Sequence, residues 1–418
     1  MKICVVGLGY IGLPTAAVFS QAGCEVYGVD KKTNVVETLS KGKIHIEEPG
    51  LDEIIANRIG NNFNVGLKPQ EADAFIISVP TPNKEDEFLS CDLTYVLDAC
   101  KSILPVLKQK NVVIVESTIA PRSMDDYVKP IFENAGYIIG ETLYLAHCPE
   151  RVLPGQILHE LVYNNRIVGG ITLACTEKAA EVYGQVVKGE ILKTEAKTAE
   201  LSKCMENTFR DVNIALANEL AKICYKLDIN CLDVIAMANK HPRVNIHHPG
   251  PGVGGHCLAI DPYFICAQVP EEARIIRLSR DTNRSMPFFV VDKIEMLVAN
   301  IENPKIALLG MAYKGNVDDL RESPSMEVAS ILKEKGYHIV INEPHVKEEQ
   351  FVTIEEAIKD ADLAVILTDH DEYRSLNCEK IAMSMRTPQL FDTRNIVLEN
   401  KSDTLTVINY GNLYQYKK

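Results

Sequence analysis

No apolar run in the 418-residue chain approaches the ~20 residues needed to cross a hydrocarbon core, which excludes a membrane-spanning helix. Basic residues are the minority sign. With 44 Lys+Arg against 57 Asp+Glu, the formal balance of −13 argues against a general nucleic-acid or anionic-membrane binder. A few local Arg and Lys side chains can still hold a small anionic ligand. None of the twelve cysteines forms a CxxC pair, and their scatter makes no dense framework. That pattern fits buried thiols of a reducing compartment better than disulfides or a zinc site. The opening MKICVVGLGYIGLP lacks the basic, long apolar and small-residue succession of a signal peptide. Short-period repeats and low-complexity tracts are missing as well. What remains is 46% apolar and 24% charged, ordinary for a globular chain. The length suits two or three domains, and the expected location is the cytoplasm.

Short β-branched runs at 3–6, 25–29, 74–79, 112–116 and 143–147 read as strands, with amphipathic segments at 13–22, 33–39, 93–107 and 125–134 between them. Strands alternating with helices imply parallel βαβ units. From 196 to 227 there is neither Gly nor Pro, which suits one long helix. Helical texture resumes at 231–239, and HPRVNIHHPGPGVGGHC is too rich in breakers to be regular structure. After a helical zone at 271–300, a second α/β series begins. Its strands are expected at 305–310, 338–342, 363–367, 389–391 and 406–408, its helices at 325–335 and 353–359. The fold class is therefore α/β: two Rossmann-like doubly wound domains, 1–195 and 301–418, joined by a long central helix within a helical middle region, 196–300.

Gly7-Leu8-Gly9-Tyr10-Ile11-Gly12 follows the first strand and opens a helix. Gly7 allows the tight turn, Gly9 lets the backbone approach a pyrophosphate, and Gly12 permits close helix–strand packing. Phosphates then sit at the helix N-terminus, where amides and macrodipole favour negative charge. A lone GxGxxG is a weak signal. Here Asp30 ends the next strand, about 20 residues on, where a carboxylate can accept from both ribose hydroxyls and disfavours a 2′-phosphate. The combination predicts NAD rather than NADP.

Cys257 follows Gly252-Val253-Gly254-Gly255-His256 and precedes Asp261. Glycines there suggest a backbone that must approach something closely. An isolated Cys after a flexible loop is ordinarily a buried residue, but a thiolate beside a dinucleotide site can trap an aldehyde and carry it to a thioester. Lys203 and Asn207 are i, i+4 on the long helix and share a face. Ordinary surface pairs have that spacing; so does a pair that serves a developing oxyanion. Glu150 and Arg151 follow a strand end, where α/β sheets place ligands, although a surface ion pair reads the same way. His241, His247, His248 and His256 match no helical metal-ligand spacing, so no metal is expected.

Together these motifs resemble the UDP-glucose/GDP-mannose dehydrogenase family across essentially the whole chain. The resemblance is carried by VGLGYIGLP, Val79-Pro80-Thr81-Pro82, Glu116-Ser117-Thr118, His147-Cys148-Pro149-Glu150-Arg151, Lys203-Cys204-Met205-Glu206-Asn207-Thr208, GGHCLAIDPYF, and the run from Tyr313 to Pro324. It implies oxidation of the C6 alcohol of a nucleotide sugar to a carboxylate with two NAD+. Cys257 would be the nucleophile, Lys203 and Asn207 would stabilise the oxyanion and position water, and Asp261 would handle water and protons. Thr118 and Glu150 would assist proton transfer at the reacting end. The family's cofactor contacts fall on Gly7, Gly9, Ile11, Gly12, Asp30, Thr81, Thr118, Arg321 and Arg394. Its substrate contacts fall on Glu150, Arg151, Lys203, Asn207, Gly254, Tyr313 and Lys314. The second α/β domain would hold the nucleotide of the sugar, and the long helix would pair two copies into a homodimer.

The loop from Asn239 to Cys257 looks like that of the branch acting on UDP-N-acetylmannosamine, as do Asn164-Asn165-Arg166, Ile46–Leu51 and Arg210–Asn213. Arg243, Asn245 and Arg166 are the expected contacts of a 2-acetamido group, with Arg243 lent by the partner subunit. The acid product would feed surface polysaccharide assembly, such as a capsule. UDP-N-acetylglucosamine and UDP-glucose remain alternative substrates, since only the sugar pocket would differ. A non-catalytic nucleotide-sugar sensor and an alcohol dehydrogenase that stops after one oxidation are the other readings.

Overall fold

A computed structural model describes residues 1–153, 155–397 and 403–417. The chain divides into two compact units, Met1–Glu206 with Tyr263–Glu272 and Asn207–Pro262 with Ala273–Lys418.

The first unit is built on eight strands: β1 (Lys2–Val6), β2 (Glu25–Val29), β3 (Phe63–Gly66), β4 (Ala74–Ile77), β5 (Val112–Val115), β6 (Tyr144–His147), β7 (Arg166–Gly170) and β8 (Ile191–Glu195). Their order is β3-β2-β1-β4-β5-β6-β7-β8. All neighbours are parallel except β6 and β7. The central strands β4, β5 and β6 are buried at every position, which is why AFII, VVIV and YLAH read as continuous rather than alternating runs. The strand order reverses at β1, between β2 and β4. That crevice, at the carboxyl ends of the strands, is where doubly wound sheets bind ligands.

The second unit carries β9 (Lys305–Leu309), β10 (His338–Asn342), β11 (Leu363–Ile366), β12 (Gln389–Asp392) and β13 (Thr406–Asn409) in the order β10-β9-β11-β12-β13, all parallel. Its order reverses at β9. Met286, Val290, Ile294 and Val298 of the helix Met286–Val298 are buried with Ile306, Leu308 and Val328 in one apolar cluster.

The long helix spans Ala196–Leu227, as its freedom from Gly and Pro predicts. The expected helix at 125–134 differs in detail: Met124–Val128 is a π-type stretch leading into Lys129–Asn134. Three strands that lack a strong apolar pattern, β3, β7 and β8, complete the first sheet beyond those expected. Among the described residues, no helix is long and apolar enough to cross a membrane.

Candidate active site

Gly7 leaves β1 with φ +94°, and a Cβ there would come within 2.4 Å of the Ser78 carbonyl oxygen. At Gly12, the first residue of the helix Gly12–Gln21, a Cβ would meet the Gly7 carbonyl oxygen at 1.9 Å. Both glycines are thus required by the chain's own packing. Gly9 is different: a Cβ would meet nothing within 4 Å, and its φ is not left-handed. A bound group is the remaining physical reason for a bare backbone there. The N-cap of the helix, Ile11, makes no side-chain cap, and the first turn holds no acid. Within its first turn the Leu13 amide already donates to the Gly9 carbonyl oxygen at 3.1 Å and Pro14 has none, which leaves the amides of Ile11 and Gly12 as the ones suited to an external anion. Half-buried Asp30 stands just past β2. It accepts the Leu8 amide at 3.0 Å and the Lys32 amide at 2.9 Å, one on each oxygen, with lone pairs left for hydroxyls. Across the crevice Thr81 Oγ1 donates to the Thr118 carbonyl oxygen at 2.6 Å, tying the ends of β4 and β5 together. Gly7, Gly9, Ile11, Gly12, Asp30, Thr81 and Thr118 therefore all lie past the carboxyl ends of β1, β2, β4 and β5.

Beside them, the antiparallel pairing of β6 with β7 decides what Arg166 does. His147 pairs with Gly169, and continuing that register sets Arg166 opposite Glu150. Arg166 Nη1 holds Glu150 Oε2 at 2.6 Å, while its Nη2 pairs with Glu116. Arg166, expected at the acetamido group, is only 5% exposed and is engaged by Glu150 and Glu116. Glu150 Oε1 accepts the Arg151 amide at 2.7 Å. The Arg151 side chain donates to Glu206 Oε1 and to the Asn165 carbonyl oxygen, both at 2.6 Å. Buried Glu48 accepts the amides of Gly155 and Ile157 at 2.8 Å, anchoring the far end of this loop. Burial drives the Cys148 thiol up to about 11 and keeps the His147 imidazole down at about 3. Lys203 is half-buried on the long helix, four residues before Asn207.

In the second unit Cys257 is exposed, whereas the other eleven Cys residues of the chain are buried. Its carbonyl oxygen accepts the amides of Ile260 at 3.1 Å and Asp261 at 2.9 Å, forming the turn into the helix Asp261–Gln268. Buried Asn207 Nδ2 donates to Asp261 Oδ2 at 2.6 Å. Glycines before Cys257 do approach something closely, and it is the chain itself. A Cβ at Gly254 would lie 2.3 Å from the Glu322 carbonyl oxygen, and one at Gly255 would lie 2.6 Å from the Tyr313 ring. Gly254 is thereby explained without a ligand. Burial raises the Tyr313 phenol above its ordinary value, with Asp319 and Cys257 adding to the effect.

Arg321 and Arg394, expected near the cofactor, are held within this unit. Arg321 binds Asp319 through two nitrogens, at 2.9 and 2.6 Å, and Arg394 Nη2 pairs with Asp369 Oδ1 at 3.0 Å. Lys314, Arg243 and Asn245 are exposed. Sequence reasoning missed the polar lattice that fixes the Gly/Pro loop. Asn218 Oδ1 accepts the Gly250 amide at 2.9 Å, and Asn218 Nδ2 donates to Asn283 Oδ1 at 2.9 Å. Asn283 and Arg280 both donate to Asp211, at 2.8 and 2.6 Å, and the Tyr410 hydroxyl donates to the Gly250 carbonyl oxygen at 3.2 Å. Those partners lie tens of residues apart, so no local spacing signals them.

Chemically, the first unit offers an anion-binding glycine turn with a ribose-ready carboxylate, and the second an accessible thiol beside a hydrogen-bonded Asn–Asp pair. Comparison with known proteins gives the same picture. Residues 1–187 match the NAD binding domain of the UDP-glucose/GDP-mannose dehydrogenase family, 197–285 its central domain and 307–399 its UDP binding domain. A UDP-N-acetyl-D-mannosamine dehydrogenase of Methanococcus maripaludis is 47% identical over 409 residues, covering 96% of this chain and 94% of that one. The structure of a UDP-N-acetyl-mannosamine dehydrogenase from S. aureus is 50% identical, covers all of both chains and superposes with a TM-score of 0.94. One from Pyrococcus horikoshii, 39% identical, covers 99% of this chain and 100% of its own and has a TM-score of 0.92. On its motifs, its two sheets and these matches, the chain belongs to the UDP-glucose/GDP-mannose dehydrogenase family.

Proposed function

We propose that the protein oxidises UDP-N-acetyl-D-mannosamine at C6 to UDP-N-acetyl-D-mannosaminuronate, using two NAD+ per sugar. The observation that carries this reading is the single exposed thiol, Cys257, in a chain that also holds the dinucleotide turn. The names of the relatives at 47% and 50% identity support the sugar. Gly9, the start of the helix Gly12–Gln21 and Asp30 would hold NAD+, which when bound would supply the oxidising power for both rounds by taking up hydride. Glu150 takes the proton that leaves the C6 hydroxyl, with Thr118 at the same end. The Cys257 thiolate adds to the aldehyde carbon, so the aldehyde is held as a thiohemiacetal and then a thioester. Lys203 and Asn207 face the oxyanion, and Asp261, held by Asn207, orients the water that releases the acid. Trapping keeps the second oxidation intramolecular in effect, where positioning contributes several kcal/mol.

Arg243 and Asn245 contact the acetamido group, with Arg243 supplied across a homodimer. Support for the dimer comes from the long helix: Leu201, Met205, Phe209, Leu216, Ile223 and Leu227 are 41–63% exposed. At 100° per residue all six fall on one side. A contiguous exposed apolar face of this kind marks an interaction surface. Eleven buried thiols suit the reducing cytoplasm, and the uronate suits assembly of a surface polysaccharide such as a capsule.

NADH release per sugar, measured with each purified UDP-sugar, tests the proposal. Two NADH per UDP-N-acetylmannosamine are expected; one would mean a simple alcohol dehydrogenase, none a sensor. Faster turnover of UDP-glucose or UDP-N-acetylglucosamine would replace the substrate. Cys257→Ala is expected to stop acid formation, and an unchanged steady rate would refute the covalent route.

A further inference from the structure

Under the carboxyl ends of β4, β5 and β6 lies a charged cluster in a core otherwise lined by Ile76, Ile114, Ala146 and Val168. Glu116 is at its centre, with a wholly buried side chain. It accepts from Thr15 Oγ1 at 3.1 Å, from the Tyr183 hydroxyl at 3.0 Å and from Ser78 Oγ, and pairs with Arg166. Arg166 in turn holds Glu150 at 2.6 Å, donates through Nε to Cys148 Sγ at 3.1 Å, and stacks 4.2 Å above the Tyr183 ring centroid. Two carboxylates thus share one guanidinium.

Such a cluster is a poor stabiliser, because desolvation offsets the Coulomb attraction and well-packed apolar residues often do as well. Another reason for it is needed, and the two carboxylates differ in the way that supplies one. Glu116 is enclosed from every side and cannot touch a ligand. Glu150 stands at the rim, at the strand ends where a doubly wound sheet binds its substrates. The groups facing Glu150 are Arg166, the Arg151 amide and, through Arg166, Glu116, Cys148 and Tyr183.

We infer that Glu116 is a positioning residue that, through Arg166, fixes the Glu150 carboxylate in place at the strand ends. Arg166 reaches Glu116 through one terminal nitrogen and Glu150 through the other, so the buried partner sets where the fork presents itself to Glu150. Thr15 lies on the helix Gly12–Gln21, so the cluster also ties Glu150 to the dinucleotide turn. The inference rests on the proposed proton-handling role of Glu150.

Glu116→Gln in the full-length protein tests it, with kcat and both KM values measured for NAD+ and UDP-N-acetylmannosamine. An amide holds the Arg166 fork less firmly than a carboxylate does, so the fork loses its fixed place beside Glu150. At neutral pH kcat should fall about tenfold, with both KM values within about twofold. A parent-like kcat would overturn the inference. If Glu116→Gln does not fold, Arg166→Lys carries the test. It keeps the charge but cannot span both carboxylates, so the same fall in kcat without KM is expected, and parent kinetics would refute the idea. Glu150→Gln separates the two levels. Parent activity in that variant would remove the role of Glu150 itself. Lost activity there, beside parent kinetics in Glu116→Gln, would remove only the inference.

Discussion

In the first unit Asp30 follows β2 half-buried and accepts one amide on each oxygen, Leu8 at 3.0 Å and Lys32 at 2.9 Å. In the second unit the matching acid is Glu343, just past β10, and it is spent on the chain. Its Oε2 accepts the Met311 amide at 2.6 Å, the Ala312 amide at 2.9 Å and His370 Nε2 at 3.1 Å, and Oε1 accepts the His345 amide at 2.9 Å. Burial works to raise its pKa, yet these donors hold the carboxyl below its ordinary value. The helix starts differ in the same sense. Gly12–Gln21 begins uncapped five residues after Gly7 and has no acid in its first turn. Pro324–Glu334 begins far beyond Gly310, is capped by Ser323 and carries Glu327 in its first turn. One strand order and one glycine turn therefore serve two ends. In the first unit no side chain caps the helix and Asp30 keeps lone pairs, whereas in the second Ser323 caps the helix and Glu343 is engaged by four donors.

The largest expected effect that tests this contrast is at Gly12. Its Cβ clash at 1.9 Å is with backbone, which cannot swing aside, so Gly12→Ala should cost about 4 kcal/mol or more and leave little folded protein. Gly9→Ala, three residues away, should change stability by less than ~1 kcal/mol and raise the NAD+ KM about tenfold or more. Thermal melts and NAD+ titrations of the pair decide it, and a parent-like KM in Gly9→Ala would end the ligand-facing reading of that residue.

Glu343 and Asp30 come next. Glu343→Ala strips three buried donors and one half-buried donor of their acceptor and should cost about 3 kcal/mol or more. Asp30→Ala frees two less buried amides at about 1 kcal/mol or less, and its main effect should be on the NAD+ KM, raised about tenfold. If Asp30→Ala were the more destabilising of the two, the division between a ligand-facing and a structural acid would be wrong.

Local spacing made the glycine turn, the carboxylate after β2 and the long helix legible, because each depends on residues within one or two elements. The strands read correctly were those rich in β-branched residues and buried on both faces. β8, ILKTE, lies at the sheet edge, so polar positions break its pattern. β7, RIVGG, ends in two glycines required by neighbours distant in sequence: Cβ atoms there would meet the Glu195 carbonyl oxygen at 2.5 Å and the Thr176 amide at 2.3 Å. Arg166 shows the same limit at the site. Nothing near it in sequence says that an antiparallel pairing will set it opposite Glu150 and bury it against Glu116, 50 residues earlier. The Gly/Pro loop before Cys257 was legible as irregular, but its anchors, Asn218, Asn283 and Tyr410, are set by tertiary structure alone.

Each unit also buries a histidine at a strand end, and the two are partnered differently. His370 accepts the Asn316 amide on Nδ1 at 2.9 Å and donates to Glu343 through Nε2, so both nitrogens are engaged. His147 donates through Nδ1 to the Val115 carbonyl oxygen at 2.9 Å, and its buried Nε2 has no hydrogen-bond partner. Protonating that nitrogen would place an unsolvated charge in the core, with the positive charge of Lys203 acting in the same direction, and the pKa falls from 6.5 to about 3. The sign of the stability effect follows. Above pH 6.5 neither folded nor unfolded chain protonates this ring. Below it the unfolded chain gains a proton that the folded chain refuses, so stability is lost as pH falls from 6.5 toward 3. The slope this one group can contribute is at most ~1.4 kcal/mol per pH unit. His147→Gln keeps a polar side chain that cannot titrate, so whatever it costs at neutral pH, its melting temperature should fall less steeply than the parent's between pH 6.5 and 4.5. Equal slopes would mean that the acid sensitivity lies elsewhere, in the paired carboxylates rather than in this buried ring with its unused nitrogen.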